Sequence, residues 1–223
     1  MTIVASVTPV IDIRDDLLER WRKIPVAVVV DLDADIRQVD PLVRPVRKTV
    51  DQPALFGRIV TALCEPPDFG AALCALDVVE AGDVLVIAAD GYPDCAMIGE
   101  ILGGHLRSKG VGGLVVDGAI RDVKTLASWD DFSVYTRSVN PKGPASANSG
   151  RVNSPVKISG VEVMPGEVIL GDDDGLVVLS REELVRWISP AESRLELEKE
   201  WISRLEQGEP ARSVFSLEIE SQE

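Results

Sequence analysis

The sequence is poor in several residues that mark particular classes of protein. Among 223 residues, 4% are aromatic, and there are one histidine and three cysteines. Cys64, Cys74 and Cys95 form no Cys-x-x-Cys pair, and their odd number argues against a disulfide framework. With no signal-like N-terminus, we expect reduced thiols in a cytoplasmic protein. No apolar run approaches the roughly 18 residues of a spanning helix, so no membrane partner is expected.

Basic residues are also scarce. The chain has 23 Lys and Arg against 37 Asp and Glu, which gives a net charge of −14. Such a surface repels phosphate backbones, so we do not expect binding of nucleic acid through a general basic field. An anionic small molecule would need a local cation. His105 lies one turn into a predicted helix and is expected to face solvent or an interface. Cys95 is expected in the core.

Apolar spacing and turn residues predict an alternation of strands and helices, followed by short β segments over residues 156–179. Asp68 is a plausible N-cap of one helix. The predicted helices span residues 15–23, 69–80, 98–109 and 123–128, and the predicted strands span residues 26–30, 58–63, 84–88, 114–116 and 133–137.

Two stretches are predicted to be loops, and the C-terminal part is predicted to be helical. Residues 35–53 suggest loop and edge structure, and residues 140–155 a long surface loop. A charged amphipathic helix is predicted over residues 181–207, broken or bent near Pro190. We interpret residues 1–207 as one α/β domain and residues 208–223 as a tail that docks on a partner subunit or is flexible.

An acid and an Arg-Asp pair stand twenty residues apart, at Glu100 and at Arg121-Asp122. Glu100 falls at the start of a predicted helix, and the pair falls just past a predicted strand. In α/β sheets, ligands bind in the crevice at the carboxyl ends of the strands, so we expect one site with one cation and two carboxylates. Taken alone, the pair could be a surface ion pair or a helix N-cap, and Glu100 a first-turn acid.

This run and the strand ending in Val-Asp-Gly-Ala-Ile-Arg-Asp resemble the RraA-like family. The family includes class II 4-hydroxy-4-methyl-2-oxoglutarate (HMG) aldolases and regulators of ribonuclease activity. The stretches 84–88, 135–144 and 159–179 resemble it in the same order. The resemblance implies a swivelling α/β/α sandwich, here with a C-terminal helical arm. It also implies a homotrimer or homohexamer with divalent-metal sites between subunits.

The resemblance also implies roles for individual residues. Arg121 would bind the substrate, and Asp122 the metal. Glu100 stands where aldolases of the family usually have Asp, and it would reach the metal through water. Regulators have glycine at this position and an acid where this chain has Thr125, so both differences favour the aldolase branch. The backbone amides that would hold the pyruvyl carboxylate belong to Gly99, Glu100, Ile101 and Leu102.

These residue types suit cleavage of a carbon–carbon bond beside a ketone and a carboxylate. Mg²⁺ or Mn²⁺ can polarise the 2-oxo group, and Arg121 can stabilise the enolate charge. We therefore predict a metal-dependent lyase that cleaves or decarboxylates a small 2-oxo acid to pyruvate. The alternatives are a regulator that binds a protein partner and an RraA-like enzyme with a different substrate. Glu196 or a neighbour could complete an adjacent subunit's site, or belong to a solvated acidic face.

Overall fold

The computed structural model describes residues 2–7, 14–47 and 53–217. The described helices are α1 (Asp15–Trp21), α2 (Val26–Val30), α3 (Gly70–Val78), α4 (Glu100–Ser108), α5 (Val123–Leu126), α6 (Arg181–Glu206) and α7 (Ala211–Val214). The described strands are β1 (Val4–Ala5), β2 (Arg37–Gln38), β3 (Arg44–Pro45), β4 (Leu55–Leu63), β5 (Val84–Ile98), β6 (Gly113–Ile120), β7 (Ser133–Val139), β8 (Arg151–Val152), β9 (Val156–Ile158), β10 (Val161–Val163), β11 (Val168–Gly171) and β12 (Leu176–Leu179).

A mixed sheet forms the centre of the molecule, with the strand order β2-β12-β11-β4-β5-β6-β7-β3. Strands β4, β5, β6 and β7 run parallel, and α3, α4 and α5 connect them in turn. Strands β11 and β12 pair antiparallel on the β4 side. The predicted α/β fold is confirmed, and the carboxyl ends of β5 and β6 lie side by side, with Ile98 paired to Ile120.

The two faces of the parallel strands are buried against different layers. Leu85 and Ile87 of β5 pack in one apolar cluster with residues of α3, α4 and α5. Val84 and Val86, which alternate with them, pack against the hairpin of β9 and β10. A third cluster joins α1, α2 and α6 to β11 and β12. Both faces are covered, so these strands consist mainly of apolar residues.

The prediction of a strand at residues 26–30 is wrong, because this run forms helix α2. Pro25 precedes the helix with φ −62° and ψ 148°, and its carbonyl accepts the N–H of Val29. Asp172 Oδ2 accepts the N–H of Val26 at 2.8 Å, so a side chain far along the chain caps the helix start. Buried Val26 and Val28 pack in the cluster with α6, and this tertiary packing overrides the β propensity of valine.

Helix α6 runs without a break through Pro190, so the break is wrong, and the bend that was its alternative stays a prediction. Ser180 and Glu183 form a capping box at its start, which secures the first turn. Buried Ile188 and Ala191 on either side of the proline anchor the helix to the core. Within the predicted tail, α7 is followed by Phe215, whose ring meets the ring of Trp201 edge to face at 5.1 Å. Residues 218–223 lie outside the described part.

Most other elements agree with the sequence-based boundaries to within a few residues. The largest difference is β5, which extends ten residues beyond the predicted end at residue 88. The predicted loop over 35–53 contains the short strands β2 and β3, and its residues 48–52 lie outside the described part. In the described ranges, no helix is both long and apolar enough to span a bilayer.

Candidate active site

The candidate site lies where β5 and β6 end side by side. Gly99 follows β5 in extended backbone, and helix α4 begins at Glu100. Arg121 and Asp122 follow β6, and the N–H of Arg121 donates to the carbonyl of Ile98 at 3.1 Å. The N–H of Glu100 donates to Oδ2 of Asp122 at 3.1 Å. The two ends of the predicted motif therefore meet, as the sequence spacing indicates.

Asp122 adopts an unusual backbone conformation. Its φ of 61° and ψ of 34° lie in the left-handed region, which is uncommon for a residue other than glycine. Its backbone carbonyl accepts the N–H groups of Thr125 and Leu126, so it occupies the N-cap position of α5. The side chain does not cap α5 and instead reaches back to α4. Left-handed residues of this kind concentrate at functional sites.

Gly99 allows both charged side chains to approach the start of α4. A Cβ at this position would overlap Oδ2 of Asp122 and lie 2.8 Å from Cγ of Arg121. Nε of Arg121 is 3.6 Å from Oδ2 of Asp122, and both side chains are more than a third exposed. The cation and the carboxylate thus lie over the glycine and remain open to solvent.

A small cavity of about 240 Å³ opens beside these residues. Five of the six predicted site residues line it, and Glu100 does not. Glu100 is exposed, and its carboxylate makes no hydrogen bond among the described residues. Its contact with a metal through a bridging water therefore stays a prediction. The lining consists of Phe69, Leu73, Ala96, Met97, Ile98, Gly99, Ile101, Leu102, Arg121, Asp122 and Pro144.

The sequence did not indicate the apolar part of this cavity. Phe69 and Leu73 come from the start of α3, and Pro144 comes from the loop after β7. Phe69 and Leu73 are four residues apart, a spacing that by itself indicates only the buried face of a helix. Pro144 falls in a stretch that resembles the family, but an isolated proline carries no chemical signal.

Asp68 joins the α3 wall of the cavity to the loop that carries Pro144. Its carboxylate accepts the N–H of Gly70 at 2.9 Å, the hydroxyl of Ser146 at 2.6 Å, and the N–H groups of Asn148 at 2.7 Å and Ser149 at 3.1 Å. Burial acts to raise the pKa of Asp68, but these four bonds together hold the pKa well below its ordinary value. The prediction of Asp68 as the N-cap is wrong by one residue, because Phe69 occupies the N-cap position of α3, while Asp68 precedes it and accepts the N–H of Gly70, the first residue of the helix.

Other candidates from the sequence lie away from the cavity. His105 is exposed on α4, and Cys95 is buried, with burial raising the pKa of its thiol. Both positions agree with the roles expected for them. Glu196 is exposed on α6 and pairs with Lys199 at 2.7 Å. Its position suits the solvated acidic face, and the alternative of completing an adjacent subunit's site stays a prediction.

The chain combines an α/β fold with a charged site at its strand ends, and comparisons place it in a family. The RraA-like family model, described as Aldolase/RraA, matches residues 26–178, so the chain belongs to the RraA-like family. A relative from Halalkalibacterium halodurans is provisionally named a 4-hydroxy-4-methyl-2-oxoglutarate aldolase. It is 30% identical over 166 residues, which cover 74% of this chain and 77% of the relative.

Solved structures share the fold. A structure described as the RNA-processing inhibitor RraA from Thermus thermophilis is 28% identical with a TM-score of 0.62 and covers 70% of this chain and 92% of that one. An uncharacterised protein from Pseudomonas syringae has a TM-score of 0.79 and covers 92% of this chain and 99% of that one. At 20% identity, this second likeness concerns the fold alone. The similar proteins thus include one provisionally named an aldolase and one described as an inhibitor.

Proposed function

We propose that this protein is a lyase that cleaves or decarboxylates a small 2-oxo acid to give pyruvate. The observation that carries the proposal is the placement of Arg121 and Asp122 together at a small cavity beside the N-terminus of α4. The cavity volume of about 240 Å³ is below the usual range for drug-sized ligands, so a small acid fits it.

The substrate carboxylate would bind at the first turn of α4. The first N–H groups of a helix have no acceptor inside the helix, and they favour anions. The N–H of Glu100 is already bonded to Asp122. Among the described residues, the N–H groups of Ile101 and Leu102 have no such partner, so the carboxylate would bind these two amides. Arg121 at the cavity edge would add a charge-assisted bond.

Arg121 would also stabilise the charge that develops during the reaction. When the C3–C4 bond breaks, its electron pair stays on C3 and forms the enolate of pyruvate. C4 leaves as CO₂ in the decarboxylation, or as a carbonyl compound in the retro-aldol cleavage, where the C4 hydroxyl loses its proton. A fixed guanidinium beside the enolate oxygen lowers the energy of this state. C3 then takes a proton from water held near Glu100, and pyruvate is formed.

Asp122 offers a solvent-exposed carboxylate, a donor that suits a hard divalent cation which keeps most of its waters. In the described part of the chain, no group of three or more His, Cys, Asp or Glu residues is placed to hold a metal, which argues against a structural zinc site. Magnesium needs only one or two carboxylates. Mg²⁺ or Mn²⁺ would be held by Asp122 directly and by Glu100 through water, and would supply Lewis-acid polarisation of the 2-oxo group.

The test is release of pyruvate from oxaloacetate and from HMG, with Mg²⁺ or Mn²⁺ and with or without a chelator. We expect metal-dependent pyruvate formation, and Arg121→Ala should lower kcat/KM by about a hundredfold or more. Arg151→Ala, at an exposed strand residue, serves as the control. Asp122→Asn should weaken metal binding measured by calorimetry. Absence of metal-dependent pyruvate from folded protein would refute the proposal.

A regulator that binds a protein partner is the second candidate. The net charge of −14 and the likeness to a structure described as an RNA-processing inhibitor favour it. Binding through an acidic surface weakens with salt. We would therefore measure the activity of a purified endoribonuclease with this protein added. Inhibition that persists in Arg121→Ala and is lost at high salt would support the regulator and separate it from the lyase.

A further inference from the structure

The side chain of Arg121 lies against the backbone of two glycines. Among the described residues its one ion-pair partner is Asp122, whose Oδ2 is 3.6 Å from Nε and so beyond hydrogen-bond distance. A Cβ built on Gly99 would lie 2.8 Å from Cγ of Arg121, and one built on Gly143 would lie 2.9 Å from Nη1. The two glycines therefore contact the side chain at its stem and at its tip. We name Gly99 and Gly143 the glycine slot.

The half of the slot at Gly143 belongs to the loop after β7. In the described part of the chain, and apart from the chain neighbours of Gly143, only the guanidinium of Arg121 would lie within 4 Å of a Cβ here. Gly143 does not have a positive φ, so its backbone conformation does not require glycine. A side chain at this position would thus interfere with the tip of Arg121 and with nothing else described.

Asn140 fixes the loop that carries Gly143. Its N–H donates to the carbonyl of Ile120 at 2.9 Å, and its Nδ2 donates to the carbonyl of Pro93 at 2.8 Å. Its Oδ1 accepts the N–H of Lys142 at 2.9 Å, which forms a local turn just before Gly143. The loop is therefore tied to the end of β6, the strand that leads into the charged pair.

The same loop is also tied to β5. The N–H of Ala96 donates to the carbonyl of Lys142 at 2.8 Å, one residue before Gly143. Gly99 follows Ala96 by three residues, directly after the end of β5. Since both halves of the slot are joined to this strand, their separation is fixed, and the guanidinium that lies against them is confined.

We propose that Gly143 is a positioning residue for Arg121, and that Asn140 supports it by holding the loop. This inference rests on the proposed function and names how its cation is placed. Arg121 is the group that would touch the substrate anion, and Gly143 acts only through it. A guanidinium that is positioned in advance stabilises the developing enolate charge without first having to be ordered.

Gly143→Ala tests the inference with little risk to the fold. The added methyl meets the free end of a flexible side chain, which can move aside, so Tm by circular dichroism should change by less than about 2 °C. Because the guanidinium is displaced, calorimetry with Mg²⁺ should show about tenfold weaker binding of oxalate, a stable mimic of the pyruvate enolate. Gly104→Ala, whose Cβ would meet its nearest atom at 4.0 Å, is the control. Unchanged oxalate binding in Gly143→Ala would overturn the inference.

The Arg121→Ala background separates positioning from a general effect on the loop. Here the methyl at residue 143 has no guanidinium to displace, so adding Gly143→Ala should weaken oxalate binding by less than about twofold. Asn140→Ala should weaken binding by about threefold to tenfold in the wild-type chain and by less than about twofold in this background. An equal loss in both backgrounds would show a merely structural role and overturn the inference. Equal oxalate binding by the wild type and Arg121→Ala would overturn it as well.

Turnover separates this inference from the proposed function. If folded Gly143→Ala released pyruvate from oxaloacetate as fast as the wild type, the positioning role would be overturned while a lyase would be supported. The converse result is weaker oxalate binding by Gly143→Ala that depends on Arg121, with no pyruvate from any acid. It would overturn the lyase while supporting the positioning role.

Discussion

Asp68→Asn tests the carboxylate that joins α3 to the loop after β7. One carboxylate oxygen accepts the N–H groups of Gly70 and Ser149, and the other accepts the hydroxyl of Ser146 and the N–H of Asn148. An amide of the same size has one acceptor oxygen and one NH₂ group. Whichever way the amide turns, its NH₂ group faces at least one backbone N–H. The substitution therefore removes the charge and leaves at least one donor without a partner.

The magnitude follows from these contacts. A hydrogen bond to a charged group contributes about 1.5–3 kcal/mol, and an unsatisfied buried donor costs about 1–3 kcal/mol. We expect a loss of about 3 kcal/mol in the free energy of unfolding. For a protein of this size, each kcal/mol corresponds to about 2–4 °C, so Tm should fall by roughly 6–12 °C.

Thermal unfolding followed by circular dichroism measures this effect, with Asp77→Asn as the control. Asp77 is exposed on the same helix and has no hydrogen-bond partner among the described residues. Because the pKa of Asp68 is lowered by folding, its contribution is fully present above the ordinary carboxyl range and is lost as the pH falls toward the folded pKa. The difference between wild type and Asp68→Asn should therefore narrow below about pH 4. A fall in Tm no larger than that of the control would refute the reasoning.

Two further predictions concern other sites. Gly99→Ala should displace the carboxylate of Asp122 and lower kcat/KM by about a hundredfold, whereas Gly104→Ala, whose Cβ would meet its nearest atom at 4.0 Å, should leave activity unchanged. Equal activity of both variants would contradict the close approach. Trp21→Phe should cost about 2–3 kcal/mol in urea unfolding, because the fully buried indole donates to the carbonyl of Leu184 at 3.0 Å. A loss below about 0.5 kcal/mol would show that this carbonyl finds another donor.

The fold was predictable where local pattern and tertiary packing agree. The buried runs at the starts of β5 and β6 and the amphipathic spacing of α4 gave elements of the right type. The run at residues 26–30 gave an element of the wrong type. The start of its helix is capped by Asp172, which lies almost 150 residues away along the chain. The length of β5 was also hidden, because its second half contains Gly91 and Pro93, residues that usually indicate a turn.

The charged part of the site was predictable, and its apolar part was not. The spacing between Glu100 and Arg121-Asp122 indicated that they meet at one sheet edge, and the structure brings Glu100's backbone and Asp122's side chain within 3.1 Å. Spacing could not reveal that Asp122 is left-handed, because this conformation depends on the surrounding packing. Phe69 and Leu73 reach the cavity from another unit of the chain. Their apolar side chains look the same in sequence whether they face a core or a ligand.

The division of the cavity between chain segments has a consequence for how the protein can change. Arg121 and Asp122 follow β6, whereas Phe69 and Leu73 belong to the connection between β4 and β5. Mutations in that connection can reshape one wall without altering the backbone that positions the charged pair. Natural variation, or a mutant library confined to α3, can therefore change which ligands bind while Arg121 and Asp122 keep their positions.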